Sequence, residues 1–102
     1  AMAQKPRKSE ATDALFQAIL SLQSVEECYT FFEDLCTMKE LSDMSQRLQA
    51  ARLLLQGSTY DQIVKQVEIS TATISRINRC IQYGEGGYRT IIERMDGAKG
   101  EE

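Results

Sequence analysis

An all-α fold of about six helices is what this sequence predicts. Three observations carry that expectation. No segment alternates apolar and polar residues at the period of two that a half-buried strand requires, whereas apolar residues recur three and four apart along most of the chain. The only proline is Pro6, so no later stretch loses the amide hydrogen that a helix interior needs. Hydroxyl residues and glycines also stand where helices of ordinary length would begin and end.

Taken in order, residues 1–9 are polar, basic and interrupted by Pro6, which predicts a disordered arm, either solvated or lying against a polyanion. Ala1 ahead of Met2 looks like a cloning remnant and carries no weight in the fold. Ser9 or Thr12 can open a first helix, whose stripe is Ala11, Leu15, Ala18, Ile19 and Leu22. Ser24-Val25-Glu26-Glu27 has the form of a capping box and opens a second helix. Its face is Val25, Cys28, Tyr29, Phe32, Leu35 and Cys36, with Phe31 off that face. Two apolar surfaces on one short helix call for cover on two sides, and a partner subunit is the economical second cover. A third helix is expected from Leu41-Ser42-Asp43-Met44, with Ser42 as N-cap, to Gln56. Met44, Leu48, Ala51 and Leu55 line one side of it, Leu53 and Leu54 extend that side, and Gly57 is the stop.

Residues 59–83 then read as two helices joined by a tight bend. Thr59 caps the first, which carries Ile63, Val64 and Val67 as its apolar stripe. Glu68-Ile69-Ser70 ends it, and Ser70 caps the second, where Ile74, Ile77 and Ile81 mark a buried face. The opposite face holds Thr71, Ala72, Ser75, Arg76 and Arg79. Small residues let a helix approach base edges, hydroxyls bond bases or phosphates, and arginine brings charge with bidentate donors. The spacing is that of a helix-turn-helix whose second helix reads the major groove. Glu68 occupies a place where glycine is usual, in the left-handed conformation, so the turn is expected to be opened or strained. An αα-hairpin packed for stability alone is the plainer alternative. The Gly84–Gly87 stretch reads as a turn rather than a phosphate loop, because no Lys-Ser/Thr follows and no strand precedes it. A short last helix is expected over Arg89–Met95, and residues 97–102 form a frayed tail. The expected organisation is thus one domain, residues 10–96, between two loose ends.

Charge sharpens the picture. The chain has 102 residues and a net charge of −3, which looks wrong for a DNA binder until the distribution is considered. Residues 9–46 hold eight acids against Lys39, whereas residues 47–94 hold seven bases against four acids. Base therefore collects in the half with the helix-turn-helix, and binding depends on that local patch. There is no histidine, no CxxC and no transmembrane run. Cys28, Cys36 and Cys80 fall on apolar helical faces and fit buried, reduced thiols in a cytoplasmic protein, not a metal site or a disulfide scaffold. No cofactor is expected.

Several motifs together resemble the Trp repressor family, in particular its small Trp-repressor-related branch. They are Met44-Ser45-Gln46-Arg47-Leu48, Leu54-Leu55-Gln56-Gly57, Thr71-Ala72-Thr73-Ile74-Ser75-Arg76, and Asn78-Arg79-Cys80 followed by Tyr83-Gly84-x-Gly86-Gly87-Tyr88. The resemblance spans about Ala14 to Met95. It implies an intertwined helical homodimer, clasped through the first two helices and the last, with two reading heads on successive major grooves. Arg47 and Arg76 match the arginines that flank the tryptophan corepressor in the family. Ile77, however, stands where the tryptophan-binding members have glycine, and Cys80 where they have serine. Arg47, Arg76, Ile77 and Cys80 are therefore a candidate effector pocket in which tryptophan is not the expected guest. Ile77 either fills the indole's space or serves as ordinary core.

The function expected is sequence-specific binding of double-stranded DNA by a cytoplasmic homodimer, as a repressor that occludes a palindromic operator. Lys65, Ser70, Thr71, Ala72, Ser75, Arg76 and Arg79 are the expected DNA-binding residues. A protein-interaction adaptor built on the same scaffold, and a repressor answering to an unidentified small molecule, are the alternatives. An enzyme is not expected, since the carboxylates lie on polar helix faces with no nucleophile–base arrangement beside them.

Overall fold

A computed structural model describes residues 8–100 as six helices: α1 (Glu10–Leu20), α2 (Val25–Leu35), α3 (Met38–Leu55), α4 (Tyr60–Gln66), α5 (Thr71–Tyr83) and α6 (Gly87–Gly100). No strand occurs among the described residues, so the fold is all-α. No helix among them is long and apolar enough to cross a membrane. Most of the expected N-terminal arm lies outside the described residues. The chain divides into two compact units, Ala1–Thr37 and Met38–Glu102.

In the first unit, local hydrogen bonds start both helices. Ser9 caps α1, its Oγ accepting from the Thr12 amide at 3.0 Å and donating to Thr12 Oγ1 at 2.9 Å. Ser24 caps α2 by accepting from the Glu27 amide at 3.0 Å. The expected return arm of the capping box is displaced: Glu27 Oε1 accepts from the Gln23 amide at 2.9 Å, one residue before the cap. Phe31 and Phe32 meet edge to face with ring centroids 5.6 Å apart. No residue of α1 or α2 is buried.

The second unit holds the core. Ala50 and Ala51 of α3, Ile63 of α4 and Val67 at its C-cap, Ile74 and Ile77 of α5, and Ile92 of α6 are buried together. α3 packs against α4, α5 and α6, and α5 also packs against α4 and α6. The alanines make that central place available to α3, because a one-carbon side chain lets neighbouring helices come close. Leu53 and Leu54, expected to extend sideways, pack on this core as well. Val64 does not: it is exposed, while Ile63 and Val67 on either side of it are buried. With only seven residues in α4, its buried face is one position wide, and i, i+4 wins over i+1.

Two helix boundaries differ from expectation. α3 begins at Met38, four residues before Ser42, which lies inside the helix. Met38 to Leu41 are good helix formers, and Lys39 Nζ pairs with Asp43 Oδ2 at 3.0 Å across the expected boundary. A serine cap stabilises by about 1 kcal/mol, which an uninterrupted extra turn can match. α6 likewise runs from Gly87 to Gly100 and takes in the Asp96–Gly100 segment. At the other end of α3 the glycine stop is as expected. Gly57 has φ +93°, its amide donates to the Leu54 carbonyl at 3.0 Å, and the Ser58 amide donates to the Leu53 carbonyl at 2.9 Å. That pair of bonds is a Schellman motif, and glycine is the residue that enters the left-handed region without strain.

Candidate nucleic-acid interface

The helix-turn-helix is assembled from its caps inward. Thr59 opens α4 with a full capping box: its Oγ1 accepts from the Gln62 amide at 3.1 Å, and Gln62 Oε1 accepts from the Thr59 amide at 2.8 Å. α4 closes at Val67, which is extended (φ −129°, ψ 135°) and donates its amide to the Ile63 carbonyl at 2.8 Å. Because the chain leaves α4 in an extended conformation, the bend needs no left-handed residue. Glu68 accordingly does not occupy that region, and no non-glycine residue among those described has a positive φ. The turn is opened, not strained.

Ser70 caps α5 as expected. Its Oγ accepts from the Thr73 amide at 3.1 Å and donates to Thr73 Oγ1 at 3.0 Å, so the hydroxyls of Ser70 and Thr73 are engaged with each other. Ile74 and Ile77 then point into the core and Ile81 is half-buried. Thr71, Ala72, Ser75, Arg76 and Arg79 are all exposed on the other side. Lys65, in the last turn of α4, is exposed too. No acidic residue lies in the first turn of α5, where the aligned amide dipoles leave partial positive charge. Hydroxyls, a methyl, two guanidiniums and that dipole therefore face solvent together, a surface suited to phosphates and base edges.

The four residues of the candidate effector pocket separate by environment. Ile77 is buried in the core, whereas Arg47 of α3, Arg76 and Cys80 are exposed. Cys80 is thus not the buried thiol expected from its sequence position, and Cys28 and Cys36 are only half-buried; all three are free. The core packs against Ile81, the neighbour of Cys80, instead. The residue that pattern reading passed over is Tyr88, near the start of α6. Its side chain packs on the core, and its phenol is near enough to Arg47 and Cys80 to feel their charge. Burial pushes the phenol's pKa up from the ordinary value of 10.0, Arg47 pulls it part of the way back, and Cys80 pushes it up further. The Gly84-x-Gly86-Gly87-Tyr88 motif was the available signal, because a sharp turn brings the next side chain back onto the preceding helix.

The family model for the Trp repressor protein matches residues 10–96, from the first residue of α1 well into α6. The chain belongs to the Trp repressor family. This is a family of regulatory, DNA-binding proteins, and its outline fits the six-helix fold seen here. The chain is also 47% identical over 88 residues to the uncharacterized protein YerC of Bacillus subtilis (strain 168), covering 86% of this chain and 85% of that protein. Among solved structures, a candidate Trp repressor from Staphylococcus aureus is 49% identical, with a TM-score of 0.85, covering 87% of this chain and 89% of that one. A TrpR-like protein from Eubacterium eligens ATCC 27750 is 47% identical, also with a TM-score of 0.85, covering 87% of this chain and 92% of that one.

Proposed function

We propose that this member of the Trp repressor family is a sequence-specific transcription regulator of the cytoplasm, a repressor that binds double-stranded DNA as a homodimer at a palindromic operator and does so without tryptophan. The observation that carries this reading is the outer face of α5. Thr71, Ala72, Ser75, Arg76 and Arg79 are exposed behind the Ser70 cap, while Ile74 and Ile77 anchor the opposite face. In this reading the exposed residues meet base edges and phosphates, and Lys65 meets the backbone from α4. The chain's acidic balance keeps affinity for random DNA low and leaves recognition to this local patch.

The homodimer is supported by the first unit. Leu20 is 83% exposed, Val25 73% and Tyr29 60%, on helices that bury nothing. A second copy would cover these side chains and set two reading heads on half-sites about 34 Å apart, one turn of the duplex. Sedimentation at micromolar concentration should give a dimer, and the melting temperature should rise with protein concentration. A monomer that is still fully helical under those conditions would overturn the dimer.

The function itself is tested by selecting bound sequences from random duplexes without L-tryptophan. A twofold-symmetric motif should emerge, with affinity that falls linearly in the logarithm of salt concentration. A protein-interaction adaptor would show neither. Operator affinity that rises about tenfold or more when L-tryptophan is added would instead assign the family's corepressor a role here.

A further inference from the structure

The outer face of α5 continues past its last arginine. Ala72, Arg76, Arg79 and Tyr83 follow one another at spacings of four, three and four residues, so one stripe runs along the helix and Tyr83 is its final residue. Three turns of helix separate Ala72 from Tyr83, which returns the tyrosine to the same side roughly 16 Å farther along the axis. Tyr83 is 83% exposed, whereas Ile74 and Ile77 on the opposite side are buried. Among the described residues no hydrogen bond, ion pair or ring contact engages its phenol. The turn that follows keeps it open. Gly84 donates its amide to the Cys80 carbonyl at 2.9 Å, and a Cβ there would lie 2.5 Å from that same oxygen. Glycine therefore closes α5 tightly, and Gly86, with φ +87°, sends the chain into α6, whose Ile92 joins the core. α6 packs on the side of the buried isoleucines and leaves the last turn of the outer face uncovered.

We infer that Tyr83 is a phosphate-contacting residue of the DNA interface, its hydroxyl donating to a non-bridging oxygen of the duplex backbone at the rim of the major groove. This role rests on the reading of α5 as the DNA-recognition helix. A solitary exposed tyrosine is common on protein surfaces. The register of this one sets it apart. A recognition helix meets base edges with its N-terminal residues. The groove is about 12 Å wide, so a point roughly 16 Å beyond Ala72 lies past the bases, where sugar and phosphate form the rim. A phenol suits that place. It donates one directed hydrogen bond, and with only two side-chain torsions it loses little freedom on docking. Arg79, one turn back on the same stripe, supplies the charge that draws the backbone close. Contacts to phosphate position a protein without reading sequence, so Tyr83 fixes the register of α5 and adds no base preference.

Tyr83→Phe keeps the ring and removes the hydroxyl, and at so exposed a site helicity and melting should match the parent. The probes are the operator duplex recovered by selection and a random-sequence duplex of the same length. Affinity for both should fall by the same factor, about fivefold for each hydrogen bond lost and so about 25-fold for a dimer. The salt slope should keep its parental value, because no charge is removed, whereas loss of a phosphate-contacting arginine lowers it. When single phosphates of the operator are ethylated, one symmetry-related pair that interferes with the parent should cease to interfere with Tyr83→Phe. In DNA-free protein, Tyr83 should be nitrated readily by tetranitromethane, and bound operator should protect it. Parental affinity in Tyr83→Phe overturns the role, and so does a loss confined to one base position, which would make Tyr83 a base reader. Resistance of Tyr83 to nitration without DNA would mean that a second copy covers it, which overturns the role as well. If the parent shows no salt-dependent DNA binding, the DNA reading fails and this role falls with it. If the parent binds, and Arg76→Ala weakens binding while Tyr83→Phe does not, this role alone falls.

Discussion

Replacing Arg76 and Arg79 by alanine is expected to abolish most operator binding while leaving the fold intact. Both side chains are exposed on α5, three residues apart and therefore adjacent on one face, and neither belongs to the core. Surface substitutions of this kind change stability by about 0.5 kcal/mol or less, so helicity and melting should match the parent. The binding cost is larger because a homodimer carries each change twice. A base-contacting arginine is worth about 1–3 kcal/mol per contact, which becomes about 2–6 kcal/mol per dimer, or roughly 30-fold in affinity at the least. A phosphate-contacting arginine should instead weaken binding to all sequences and lower the salt slope by about 2 per dimer. Measuring each single variant against operator and random DNA over a salt series separates the two roles. If both variants bound DNA like the parent, the outer face of α5 would have been misassigned.

Truncating Ile74 should produce the largest loss of stability. Ile74 and Ile63 are the largest fully buried side chains, and Ile74 sits in the cluster that joins α3, α4, α5 and α6. Removing three carbons there leaves a cavity that the surrounding helices can only partly close. Such changes cost about 2–5 kcal/mol, a large share of the roughly 5–15 kcal/mol that stabilises a domain. At about 4–8 °C per kcal/mol for a domain of this size, Ile74→Ala should lower the melting temperature by about 10 °C or more at fixed protein concentration. Val64→Ala, one helix earlier and 38% exposed, should cost under about 1 kcal/mol. Comparable melting of the two variants would mean that the core is misplaced. DNA affinity of Ile74→Ala, measured well below its melting temperature, should fall too, since α5 owes its position to that side chain.

What the sequence determined by itself was local. Ser9, Ser24, Thr59 and Ser70 each cap the helix that was expected to follow, and Gly57 ends α3, because these devices are bonds between residues three to five apart. The outer face of α5 was legible for the same reason: once Ile74 and Ile77 are known to point inward, the helical period places Thr71, Ala72, Ser75, Arg76 and Arg79 outward. Tertiary structure decided whatever depends on residues far apart in the chain. Ser42 has the chemistry of a cap, yet an extra turn from Met38 overrides it. Val64 and Cys80 are apolar enough to be buried, yet no neighbouring helix covers them. Glu68 could avoid the left-handed region because Val67 leaves α4 extended. Above all, Arg52 of α3 and Asp96 of α6 pair at 2.8 Å although they are 44 residues apart, and no spacing rule links them. Their ion pair exists because Gly84 and Gly86 fold α6 back while the core holds α3 alongside, and only packing in three dimensions brings those two conditions together.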